Sequence, residues 1–105
     1  MPKPRSEVHE RLQELTGYGK RVYYNPPETL KMQYPCIVYN LANLAARHAD
    51  NMPYKRHDAY SVTHMYLKTE EEAVSRKLAE QQGFLYDRSF VIDNLHHDVF
   101  TLTVL

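Results

Sequence analysis

Histidines beside acidic residues are the first place to look for chemistry in this chain. His96-His97-Asp98, His48 with Asp50, and His57 with Asp58 each bring metal-capable side chains close together. Imidazole nitrogen and carboxylate oxygen are ordinary ligands of divalent metals. None of these groups has a spacing such as HExxH, which sets two imidazoles on one helix face. Neighbouring residues of an extended strand point to opposite sides, so His96 and His97 cannot share an ion in a strand. Asp98 and Asn94 read as turn residues that hydrogen-bond their own backbone. The expectation is no metal and no cofactor.

Cys36 could act as a nucleophile only beside a base. It lies in the apolar stretch Cys36-Ile37-Val38-Tyr39 with no charged neighbour in sequence, and reads as buried and inert. A single cysteine excludes an intramolecular disulfide and fits a reducing compartment. Glu70-Glu71-Glu72 follows Thr69 as a capping box, in which Thr69 caps a helix and Glu72 reaches back. Its carboxylates also suit the positive end of the helix dipole. The glycines at 17, 19 and 83 all sit near expected helix ends, so no glycine-rich phosphate loop is present. These residues assemble no catalytic set, and the chain reads as a non-enzyme.

The elements that would position such groups follow from the pattern of apolar residues. At 105 residues the chain reads as one domain, 1–105, able to bury roughly two-thirds of its unfolded surface. Ser6 caps a helix whose Val8, Leu12 and Leu15 form one stripe, stopped by Gly17 and Gly19. Lys20–Tyr24 reads as a first strand, ended by Asn25-Pro26-Pro27. Tyr34–Ala46 reads as a long second strand, with a helix over Leu41–Ala49 as the competing reading on propensity. Tyr54–Leu67 is the third: Tyr60, Val62, His64 and Tyr66 alternate with Ala59, Ser61, Thr63, Met65 and Leu67. The second and third strands form a long projecting hairpin with its tip near Asp50–Pro53. A helix from Thr69 to Gln82, closed by Gly83, precedes strands Phe84–Asp93 and Asp98–Leu105, with a turn at Asn94–His97. The expected fold is α+β, in the order α-β-β-β-α-β-β. It has one sheet of about five mostly antiparallel strands, with two helices on one face.

Charge narrows the partners. Lys plus Arg and Asp plus Glu are 13 each, so the basic excess of a nucleic-acid gripper is missing. No apolar run reaches the roughly 20 residues needed to cross a bilayer, and MPKPRSEVHE has no apolar signal core. No membrane partner is expected. Nine tyrosines suit half-buried strands and interfaces. The distal hairpin mixes charge with tyrosine at Arg47, His48, Asp50, Asn51, Tyr54 and Arg56, a composition found either in a solvated loop or at a subunit contact. Leu30 and Met32, in the loop after Pro26-Pro27, could anchor that loop to the core or to a neighbouring molecule.

The order of elements, with VYYNPPETLKMQYPCIVYNL, RHADNMPY and DRSFVIDNLHHDVFTLTV, resembles the tail terminator family of long-tailed bacteriophages, the tail-to-head joining proteins. The resemblance runs roughly from Leu12 to Leu105 and departs at the alanine-rich Leu41–Ala46. It implies a six-membered ring of identical subunits in the virion, assembled in the host cytoplasm. The ring would cap the head-proximal end of the tail tube, end tube polymerisation, and meet the head connector or stopper. DNA would pass through its lumen without specific binding. The distal hairpin residues named above would then serve lateral or tube contacts, and Pro26, Pro27, Leu30 and Met32 an axial contact. Other readings are a stopper or adaptor of the same junction, a small α+β hydrolase or ligand-binding domain, and a repressor-like regulator. The last lacks a helix-turn-helix pattern.

Overall fold

A computed structural model describes residues 5–43 and 58–104. Five strands form a mixed sheet in the order β1-β2-β3-β5-β4, with two helices packed on it. The strands are β1 (Val22–Tyr24), β2 (Cys36–Asn43), β3 (Asp58–Tyr66), β4 (Phe84–Ile92) and β5 (Leu95–Val104); the helices are α1 (Arg5–Thr16) and α2 (Glu72–Ala79). The α+β class, the single sheet and the element order agree with the reading of the sequence. The tip of the β2–β3 hairpin lies outside the described residues, as do Arg47, His48, Asp50, Asn51, Tyr54 and Arg56.

Helix α1 buries Val8 and Leu12, one turn apart, and packs Leu15 against the same cluster. It stops where Gly17 turns left-handed, at φ 72°, and returns its N–H to the Gln13 carbonyl at 2.8 Å. Glycine takes that conformation without the Cβ clash other residues meet. A 3-10 turn, Gly19–Arg21, then leads directly into β1. That turn shortens the first strand to three residues, against the five expected.

Strand β1 runs parallel to β2, and the remaining neighbours are antiparallel. Directly opposed residues share a face. The register therefore lays Tyr24, Tyr39, Val62, Phe100 and Tyr86 in one row across the sheet. The next row on the same face is Val22, Ile37, His64, Asp98 and Ser89. Tyr39, Val62 and Phe100 of the first row join Leu12 of α1 and Leu78 of α2 in one core. Each such side chain contributes about 1.5–3 kcal/mol through burial. The alternation expected for β3 is present: Tyr60, Val62, His64 and Tyr66 are all buried.

Three local expectations change. The capping box does not form. Thr69–Glu71 is a 3-10 turn with no side-chain cap, and α2 starts at Glu72, whose carboxylate pairs with Arg76 one turn on at 3.0 Å. The helix ends at Ala79, short of the expected Gln82. The last hairpin turns on Asp93 and Asn94, both at positive φ (51° and 65°), so β5 begins at Leu95. A two-residue turn of that kind matches strand twist, and it carries His96, His97 and Asp98 into the strand.

Candidate functional site

The second row of the sheet places a histidine and an aspartate where apolar side chains are the rule. His64 on β3 is fully buried and Asp98 on β5 nearly so. A buried polar group must find partners within the protein, and both do. His64 Nδ1 lies 2.7 Å from Ser75 Oγ, on the inner face of α2, and Nε2 lies 2.7 Å from the Tyr18 hydroxyl. Ser75 donates to Asp98 Oδ2 at 2.5 Å, Tyr66 donates to the same oxygen at 2.8 Å, and Ser89 donates to Oδ1 at 2.7 Å. Beyond Ser89, the Tyr86 hydroxyl donates to Ser89 Oγ at 2.8 Å. At the other end the Tyr18 hydroxyl meets Glu71 Oε1 at 3.0 Å. The rings of Tyr18, His64, Tyr66 and His96 stack in sequence, with neighbouring centroids 4.6 to 5.7 Å apart.

The electrostatics follow from these surroundings. Burial pushes His64 down to about 4, against the opposing pull of Asp98 and Glu71, and so keeps the imidazole neutral near pH 7. Burial works against the Asp98 carboxylate, but the hydrogen bonds from Ser75, Ser89 and Tyr66 prevail and hold it below its ordinary value. Burial raises Tyr18 and Tyr66, with their carboxylate partners acting in the same direction.

Serine, histidine and aspartate in contact suggest nucleophilic catalysis, but their order is wrong for it. In a hydrolytic triad the imidazole lies between hydroxyl and carboxylate and takes the hydroxyl proton. Here Ser75 lies between His64 and Asp98, and the second imidazole nitrogen is occupied by Tyr18. The arrangement joins β3, α2 and β5 to the α1–β1 connection. A pocket of about 510 Å³ beside it is lined by Tyr66, Ser75, Tyr86, Ser89, His96 and Asp98 among others.

The second distinctive surface is the sheet edge. Strand β4 is nine residues long and terminal in the strand order, so among the described residues one side of its backbone has no neighbouring strand. Leu85 is 71% exposed, Val91 56%, Ile92 55% and Tyr86 52%. Long apolar edges of this kind invite pairing with another chain. A register shift between Tyr86 and Arg88 bends the strand midway. Phe90 stacks on His97 with centroids 4.6 Å apart, on the face away from the helices.

Asp98 is a buried acceptor of three hydroxyls rather than a turn residue. His96 and His97 do lie on opposite faces, on Tyr66 and Phe90 respectively. Cys36 is fully buried, and burial pushes its thiol up to about 12. Pro26, Pro27, Leu30 and Met32 lie between β1 and β2, with Leu30 and Pro27 exposed, Pro26 and Met32 half-buried, and Leu30 N–H donating to the Pro27 carbonyl at 3.1 Å. Among the described residues no group of three or more His, Cys, Asp or Glu side chains could hold a metal, and no helix is long and apolar enough to cross a membrane. Ser75, Ser89 and Tyr18 were not singled out from sequence. The available signal was His64 itself, a polar residue on the buried side of an alternating strand.

No family model matches the chain, and no curated protein sequence matches it.

Proposed function

We propose that this chain is a structural assembly protein that closes into a ring, and that the ring is the tail terminator of a long-tailed bacteriophage. The observation that carries the assembly reading is the β4 edge, a long strand whose outer side is open among the described residues, with exposed Leu85, Tyr86, Val91 and Ile92. Pairing β4 with a neighbouring subunit would satisfy its free backbone groups and cover that apolar surface. A closed ring leaves no edge open.

The narrower reading rests on the resemblance of the sequence to the tail-terminator family. On it, the subunits form a hexamer at the head-proximal end of the tail. One face meets the last ring of tube protein and the other the head connector or stopper. Lateral contacts come from β4 and the distal hairpin, and axial contacts from the loop of Pro26, Pro27, Leu30 and Met32. The work is steric, and no residue is assigned a catalytic role. A net charge of zero suits a lumen through which DNA must slide without being held.

The test is sedimentation of the full chain, alone and with tail tubes, beside a Leu85→Asp, Val91→Asp double variant. Both positions are exposed, so the isolated fold should tolerate the change. The wild type is expected to form rings, free or on tube ends, and the variant to stay monomeric. Equal assembly by the two proteins would exclude β4 as the lateral contact. A wild type that remains monomeric with tubes present would exclude the ring.

A further inference from the structure

The polar chain that runs through the core is one proton short. Seven contacts join Glu71, Tyr18, His64, Ser75, Asp98, Tyr66, Ser89 and Tyr86. Every link needs one proton between its two heavy atoms. The hydroxyls of Tyr18, Ser75, Tyr66, Ser89 and Tyr86 supply one each, and a neutral imidazole supplies one more. With both carboxylates ionised, no assignment of these protons fills every link.

The geometry says where the vacant link falls. Tyr66, Ser89 and Tyr86 each have their own proton for their contact with Asp98 or Ser89, so that arm is complete. The Ser75–Asp98 contact, at 2.5 Å, is the shortest and must hold the Ser75 proton. His64 Nδ1 must then donate to Ser75 Oγ, which leaves Nε2 to accept from Tyr18. Tyr18 has no second proton for Glu71. That contact is the longest of the seven, at 3.0 Å, and Glu71 is only half-buried, so solvent reaches the chain there.

We propose that this chain is a single-proton latch. It takes up one proton from solvent, completes its last hydrogen bond, and ties Tyr18 in the α1–β1 connection to the turn that enters α2. The proton balance is simple: one proton enters and no other bond is made or broken. It rests in the chain as an imidazolium donating from both nitrogens, which completes every link. Other charged or titratable groups face the same chain. Arg21 lies 5.0 Å over the Tyr18 ring, Cys36 lies on the neighbouring β2, and His96 stacks on Tyr66. Arg21 acts on Tyr18 against proton uptake. The ionised Asp98 and Glu71 favour it at His64. The latch needs only the monomer and is independent of ring assembly.

The test is nitrogen-15 and carbon-13 NMR of the full chain, titrated from about pH 8 to about pH 3. At the high end His64 is expected as the Nδ1–H tautomer, the less common form of free histidine. As pH falls, the His64 ring signals and the Tyr18 Cζ signal should move together with one midpoint. In Glu71→Gln the amide donates to Tyr18 and fills the vacant link, so this joint transition is expected to disappear from the range. Glu71→Ala deletes the link and should do the same, which provides a second variant if the first folds poorly. An Nε2–H tautomer at high pH would overturn the proposal. So would a variant that titrates like the wild type.

Discussion

Replacing Asp98 by Asn tests the buried chain with little change of shape. Asp98 accepts hydrogen bonds from Ser75 and Tyr66 on one oxygen and from Ser89 on the other. Hydrogen bonds to a charged group contribute about 1.5–3 kcal/mol each, and neutral ones about 1 kcal/mol. An asparagine keeps one carbonyl oxygen, so the Ser75 and Tyr66 contacts fall from charged to neutral strength. Its amide then faces Ser89, which must turn its own proton away. The expected loss is about 2–4 kcal/mol, a large part of the stability of about 5–15 kcal/mol typical of a domain. Urea unfolding at neutral pH should show it as a lower midpoint with an unchanged slope. The corresponding fall in Tm is about 8 °C or more. A loss below about 0.5 kcal/mol would mean that the carboxylate contributes no more than an exposed polar group, and would refute the reasoning.

Two further outcomes follow. His64 is held down to about 4 in the fold, against an ordinary value of 6.5, so the folded state binds fewer protons than the unfolded chain between those values. Its contribution is therefore complete above about pH 6.5 and is lost as pH falls toward about 4, by about 3 kcal/mol in total; His64→Gln should remove that slope from the difference between the two proteins' unfolding curves. Gly83→Ala should cost about 1–3 kcal/mol in thermal or urea unfolding, because Gly83 sits at φ 91° and an added Cβ would lie 2.8 Å from the Thr103 carbonyl oxygen.

Much of the frame was legible because it depends on short-range pattern. Val8 and Leu12 marked α1, and the alternation from Tyr60 to Tyr66 marked the buried face of β3. The reading went wrong where a local motif competed with a distant partner. Thr69 to Glu72 has the spacing of a capping box, yet Glu71 meets Tyr18 across the fold and Glu72 pairs with Arg76. Asp98 looks like a turn residue until Asp93 and Asn94 make the turn instead and shift it into the strand. The polar chain itself was hidden. Its members come from the α1–β1 connection, β3, α2, β4 and β5, and their meeting is decided by sheet register. The parallel pairing of β1 with β2 was hidden for the same reason. The exposure of β4 was illegible too: Phe84–Asp93 read only as a strand, and it is the strand order that puts Leu85, Val91 and Ile92 at an edge.

The proposal that the chain ends tail growth is tested most directly by electron microscopy of particles made by a long-tailed phage carrying this gene, with the gene deleted. The account predicts tails of uncontrolled length and DNA-filled heads with no tail attached, and complementation by the wild-type chain should restore both. Tails of normal length beside heads that leak their DNA would contradict it, and would move the protein from the end of the tail to the neck of the head.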